Sequence, residues 1–321
     1  MQELIESHVG QDHFDIVVQA MAEGMVVPLL GAGVNLCGRP AGAGWEHGRY
    51  LPDGAELAGI LAGHFRFPED ELADLVRVSQ YVDLTRGWGP LYQELHHVFD
   101  ADYPPSPIHE LLASLPGRLE LGGPGRRFQL IVTTNYDDAL ERAFSAAGQP
   151  FDLVCYLAVS ENRGKFLHVP SDGEPCLIER PNEYDRLSLE QRTVILKIHG
   201  AIDRRHPELD SYVITEDHYI DYLTRTDVST FVPVMLAEQL SASHFLFLGY
   251  SMRDWNLRVI LHRIWADSPN RYRSWATQPS RRPLDEQFWR QRSVEVQYIT
   301  LEDYAEGLDA AVERFRRGKT G

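Results

Sequence analysis

Four short apolar runs, each ended abruptly by glycine or polar residues, constrain this chain more than any other feature. The first lies in residues 25–35, MVVPLLGAGVN. It begins wholly apolar and β-branched, as suits a strand buried on both faces of a parallel sheet, and then breaks into Gly31, Ala32 and Gly33. Glycines let the backbone turn tightly and approach a bound group. A strand that empties into a glycine turn and then a helix is the phosphate-cradling arrangement of dinucleotide folds; a plain tight turn reads the same way. The other runs are 128–132, followed by TTNYDD; 194–198, followed by His199 and Gly200; and 245–248, followed by Gly249, Tyr250 and Ser251.

Segments of helical spacing separate the runs. Residues 12–23 place Phe14, Ile16, Val17, Ala20 and Met21 on one side and stop at Gly24. Asp53 and Glu56 form a capping-box-like start for a helix over 55–64. Two or three more helices follow between 68 and 115, so residues 55–120 are expected to form an inserted helical layer or cap, longer than a simple crossover. Residues 36–54 are rich in Gly and Pro and read as a loop covering the glycine turn, free to open and close. Its Trp45 and Tyr50 either stack on a ligand ring or anchor the loop to the cap.

The second run leads into a helix over 138–147 and a strand over 151–157. An irregular insertion, 158–192, holds a short hairpin around 166–169 and 176–179. A short strand at 212–214 and helices at 216–224 and 231–242 precede the last run, and Asp254 caps a helix over 255–265. Elements at 273–276, 284–290, 294–299 and 301–317 complete a β/α alternation. The pattern predicts one α/β domain over 1–321, with a Rossmann-like, mostly parallel sheet and helices on both faces.

Composition removes several function classes. A net charge of −16 argues against sequence-independent nucleic-acid binding. No apolar run approaches the roughly 20 residues that span a bilayer, and the acidic, polar start does not read as a secretory signal, so a cytoplasmic location is expected. Cys37, Cys155 and Cys176 form no C-x-x-C pair, and His96, His97, His109, His168 and His244 have no metal-like pairing, so no zinc or other metal site is expected. GYSMR lacks the second glycine of a hydrolase nucleophile elbow.

Ligands of open parallel sheets bind beyond the carboxyl ends of the strands, so GAGVN, TTNYD, KIHG and GYSMRD are expected to face one site. Gly31 and Gly33 offer backbone N–H groups to phosphate oxygens. Thr133, Thr134 and Asn135 suit a ribose or a water, His199 is the general acid/base candidate, and Gly249 and Ser251 suit close approach to a ribose or phosphate. Each has a structural alternative: Asn135, Asp137 or Asp254 as a helix cap, His199 as a core or surface histidine, and Ser251 as a turn hydroxyl.

From about Met25 to about Trp265 this ordered set of motifs resembles the sirtuin superfamily, in particular its bacterial sirtuin-like branch of NAD-degrading immune effectors. The resemblance implies that Gly31, Ala32 and Gly33 hold the NAD pyrophosphate, with Asn35, Thr133, Gly249 and Asp254 among the binding residues. It implies that Asn135 acts at the nicotinamide ribose and His199 as catalytic base, that Asp137 is the acidic residue of the Asn-x-Asp element, and that Ser251 lies near the adenosine ribose. The two C-x-x-C pairs and the G-x-P-D-F-R loop of deacylating sirtuins are absent. The implied activity is therefore NAD+ glycohydrolysis to nicotinamide and ADP-ribose in an NAD-depleting defence effector. The alternatives are a non-catalytic NAD or ADP-ribose sensor and, further off, an NAD-dependent protein deacylase. NAD is the expected substrate, with a homo-oligomer, a sensor protein or further domains of a longer chain as partners, and no nucleic acid or membrane. An enzyme that destroys NAD inside its host is expected to rest with low basal activity behind its cover.

Overall fold

The apolar runs form the centre of a nine-stranded sheet, where they have neighbours on both faces. The computed structural model describes residues 9–68, 74–122, 127–158, 161–224, 232–250 and 272–319. Its strands are β1 (Val26–Leu30), β2 (Leu130–Thr133), β3 (Phe151–Tyr156), β4 (Phe166–Val169), β5 (Cys176–Ile178), β6 (Thr193–Lys197), β7 (His244–Leu248), β8 (Ser274–Gln278) and β9 (Val294–Tyr298). They are ordered β5-β4-β3-β6-β2-β1-β7-β8-β9. Every neighbouring pair from β3 across to β9 is parallel, and β4 and β5 add an antiparallel edge. The mostly parallel Rossmann-like sheet is therefore as the sequence predicts. All residues of β1, β2 and β6 are buried. Pro28 is tolerated in central β1 because pairing to β2 begins only at Leu29, where an N–H is again present.

The described helices are α1 (Gln11–Ala22), α2 (Gly54–Phe65), α3 (Leu75–Arg86), α4 (Trp88–Phe99), α5 (Pro107–Arg118), α6 (Ala139–Ala146), α7 (Glu216–Thr224), α8 (Val234–Ser241), α9 (Pro283–Arg290) and α10 (Leu301–Lys319). Side-chain alternation along the strands divides the core. Val26, Leu30, Ile131, Ile195 and Leu246 face a layer built by α1, α5, α6 and α10. Val27, Leu29, Val132, Leu196 and Phe247 face the other side, where Leu236 and Leu240 of α8 and Trp289 of α9 cover them. A third cluster joins α2, α3 and α4 to Tyr136, Ala139, Ile202, Tyr212 and Ile214. The cap thus packs on the segments that follow β2 and β6.

Several expectations change. The glycine turn opens a single 3-10 turn, Ala32–Leu36, and α2 begins only at Gly54, so no long helix follows the turn directly. Ile108, Leu111 and Leu115 of α5 pack in the main core, whereas α2–α4 build the third cluster. The hairpin of the insertion pairs with β3 and extends the main sheet. Residues 212–214 alternate like a strand but form none. Tyr212 and Ile214 are buried in the third cluster and Val213 on the α8 side of the core, and Val213 N–H instead donates to the His199 carbonyl at 2.9 Å. The helix expected over 255–265 lies outside the described residues.

Candidate active site

The order β6-β2-β1-β7 sets the ends of the four predicted motifs side by side on the carboxyl edge. The chain runs from β1 to β2 on one side and reaches β7 on the other, so this edge is the topological switch point where open α/β sheets bind ligands. Register fixes the details. Leu30 pairs with Thr133 and with Leu248, and Thr133 pairs with Lys197. Asn135 and His199 therefore stand two residues beyond one cross-strand pair. Ile198 N–H donates to the Thr133 carbonyl at 3.1 Å, extending the ladder between them.

The glycine turn is shaped by its neighbour β7. Gly31 N–H donates to the Leu248 carbonyl at 3.0 Å and Gly33 N–H to the Gly249 carbonyl at 2.9 Å. Both donors expected to face a phosphate are thus engaged within the fold, whereas no described backbone carbonyl takes the Ala32 N–H. The crossing also explains the glycines: a Cβ on Gly33 would stand 2.6 Å from the Gly249 carbonyl oxygen. Gly249, at φ +71°, has no room for one either, since Gly33 and Val34 lie against it.

Asn135 is not a helix cap. Its side chain turns back, with Nδ2 making a long 3.4 Å contact to the Gly31 carbonyl, while its own N–H donates to Thr133 Oγ1 at 3.0 Å. Its Oδ1 is buried and accepts no hydrogen bond among the described residues. A carbonyl demands a donor, so Nδ2 must face Gly31 and the acceptor must face away. Thr133 Oγ1 donates to the Leu30 carbonyl at 3.1 Å. Asp137 lies one residue before the N-cap of α6, where its Oδ1 accepts from Ala139 N–H at 3.1 Å and its Oδ2 from Asn35 Nδ2 at 3.3 Å. Asn35 Oδ1 is a second buried acceptor with no hydrogen bond among the described residues. Buried polar atoms are normally satisfied, so two such oxygens at one strand-end edge fit a ligand with hydroxyl or amide donors.

His199 is 2% exposed and meets the Tyr219 ring edge to face at 5.7 Å. Burial pushes its imidazole down to about 3. It is therefore neutral at ordinary pH, the form that accepts a proton. His109, on α5 near Asp137, is pushed down to about 4 by burial. Burial raises the Cys37 and Cys155 thiols to about 12, so neither is a reactive thiolate. No group of His, Cys, Asp and Glu among the described residues could hold a metal ion. Ser251 and Asp254 lie outside the described residues.

Polar contacts hold the cover together, and one joins it to this edge. Arg39 grips Glu56 at 2.7 and 2.9 Å and donates to the carbonyls of Ala43 and Leu51. Trp45 donates its indole N–H to Tyr103 at 3.2 Å, and the Arg39 and Arg49 guanidiniums lie over Tyr50 at 5.5 and 5.0 Å. Trp45 therefore anchors the loop to the cap, while Tyr50 packs on the loop's own arginines. Arg204 gathers Asp100 and Asp102 of the cap with Asp138 of the turn after β2. Sequence reasoning passed over Lys197 and Glu141, which meet at 2.7 Å beside the site. The available signal was a lysine closing an otherwise apolar run.

Residues 129–297 match the family model described as SIR2-like domain. The chain is 28% identical over 259 residues to NAD(+) hydrolase ThsA of Acinetobacter baumannii (strain 532279), covering 80% of this chain and 42% of that protein. It is 28% identical over 226 residues to NAD(+) hydrolase ThsA of Enterococcus faecium, covering 70% and 39%. Defense-associated sirtuin 2 of Bacillus subtilis is 26% identical over 170 residues, covering 52% and 13%. The chain thus spans less than half the length of these relatives. With a model match over more than half of its residues, on the sheet that brings the four motif ends together, the chain belongs to the SIR2-like domain family.

Proposed function

We propose that the chain is an NAD+ glycohydrolase that releases nicotinamide and ADP-ribose. The observation that carries this reading is the pairing of Asn135 and His199, two residues past one cross-strand pair on adjacent strands, with a buried unpartnered acceptor on Asn135. The names of the two ThsA relatives support it. The bond to nicotinamide breaks readily because the pyridinium leaves as a neutral ring, through an oxocarbenium-like transition state. The protein has only to orient the ribose, place a water and take a proton. Neutral His199 takes the proton from a ribose hydroxyl or the attacking water, and Asn135 Oδ1 accepts from the same hydroxyl or water. Asp137 and Asn35 hold the nicotinamide side. The pyrophosphate lies along Gly31, Ala32 and Gly33 with the Ala32 N–H as donor, and Thr133, Gly249, Ser251 and Asp254 complete the nucleotide side.

The buried His199 and the stapled cover support a resting state of low turnover, opened by a second copy, a sensor protein or further domains of a longer chain. The same motifs support a defence effector acting in the cytoplasm on the NAD+ pool. No helix among the described residues is long and apolar enough to cross a membrane. Calorimetry with NAD+ and with ADP-ribose, run beside product analysis, tests the reading. Binding with release of nicotinamide is expected. Saturable binding without product under any activating condition would favour a sensor.

A further inference from the structure

Lys197 closes β6 and is 1% exposed. An ammonium stripped of water is costly unless it is paired and fully hydrogen-bonded. Its Nζ is met by Glu141 Oε1 at 2.7 Å, the Tyr136 carbonyl at 3.5 Å and, at closer range, the Asp137 carbonyl. These partners belong to different segments. Glu141 is in the first turn of α6, the two carbonyls lie in the turn that carries Asn135 and Asp137, and Lys197 stands two residues before His199. One cation therefore joins the Asn135 turn to the His199 strand end. Backbone links run alongside it: Ile202 N–H donates to the Tyr136 carbonyl at 3.0 Å.

An apolar side chain could fill the same volume, and replacing buried ion pairs by apolar groups is often neutral for stability. An apolar side chain could not hold the two carbonyls. We propose that Lys197, neutralised by Glu141, is a positioning residue that sets the Asn135–Asp137 turn against His199 for the reaction. The proposal rests on the reading that Asn135 and His199 act on NAD+. A displacement of about 1 Å at such a site costs about a hundredfold in rate.

Removing the lysine alone would strand a buried carboxylate, so the test replaces the pair, Lys197→Met with Glu141→Leu, in the full chain. A second pair, Lys197→Gln with Glu141→Gln, keeps an amide that donates to one carbonyl. For the first pair we expect a melting temperature within about 5 °C of wild type. NAD+ turnover should show kcat reduced at least ~10-fold with KM changed less than ~3-fold. Hydrogen exchange at the Ile202 amide should be at least ~10-fold faster. The second pair should recover part of both losses, and it carries the test if the first fails to fold. A folded pair with wild-type kcat, or with reduced kcat but unchanged exchange at Ile202, overturns the proposal. If wild type releases no nicotinamide under any activating condition, the hydrolase reading fails, and the Ile202 exchange still decides the positioning role: faster supports it, unchanged overturns it.

Discussion

Replacing Arg39 by methionine should release the cover over the carboxyl edge. The Arg39 side chain is 5% exposed, and its Nη1 lies 2.7 Å from Glu56 Oε1 and 2.9 Å from Oε2. Glu56 also accepts from Trp45 N–H at 2.9 Å and Asp53 N–H at 3.1 Å, so one carboxylate gathers both ends of residues 36–54. Breaking a fully buried pair costs about 3–5 kcal/mol. The Glu56 side chain is 26% exposed and recovers part of its solvation, which brings the local cost to about 2–3 kcal/mol. At about 1.4 kcal/mol per tenfold change, amides of 41–51 should exchange roughly 30- to 150-fold faster in the variant. The β1 amides should keep their protection. Hydrogen–deuterium exchange with mass spectrometry reads both. A wild-type loop that exchanges like free peptide, or a variant within threefold of wild type, would refute the reasoning. The composition of 36–54 suggests a mobile lid; the packing of Arg39 predicts a latched one.

His109 and His199 both have folded-state values below the ordinary 6.5, about 4 and about 3, through burial. The unfolded chain therefore binds more protons below pH 6.5. Their contribution is complete above that pH and is lost as pH falls toward 4 and 3, at up to about 1.4 kcal/mol per unit for each. Denaturant titrations between pH 7.5 and 5.5 should show that loss, and equal stability at both ends would contradict it. Over the range where the fold persists, kcat/KM should not titrate with a midpoint near 6.5, because the free protein already holds His199 neutral; such a midpoint would remove His199 as the buried base. Gly249→Ala places a side chain at φ +71° against Val34 and should lower stability by about 2 kcal/mol or more, visible as a fall in Tm. An unchanged Tm would mean that the β1 and β7 turns can separate at little cost.

The central strands were legible because β1, β2, β6 and β7 are apolar runs between polar stops, and a run too apolar for one wet face belongs in a parallel sheet. The rule for strand ends gathered their motifs at one edge, while the strand order itself comes from the structure. What escaped depends on partners far away in sequence. Arg39 finds Glu56, and the glycines of the loop gave no hint of that latch. Tyr212 and Ile214 alternate as strand residues do, yet they are buried under the cap. Lys197 was passed over inside an apolar run because its partners, Glu141 and the Asp137 carbonyl, come from a separate turn and helix. Gly31 and Gly33 look like phosphate ligands in one dimension, while the carbonyls of Leu248 and Gly249 take both of their N–H groups.

The most direct test of the central claim is the release of nicotinamide and ADP-ribose from NAD+ by wild type, His199→Ala and Asn135→Ala, with each protein shown to be folded. Equimolar products from wild type are expected, with each variant at least ~100-fold slower, in line with the roughly 10²–10⁴-fold value of general acid–base catalysis. Equal release by all three would contradict the account.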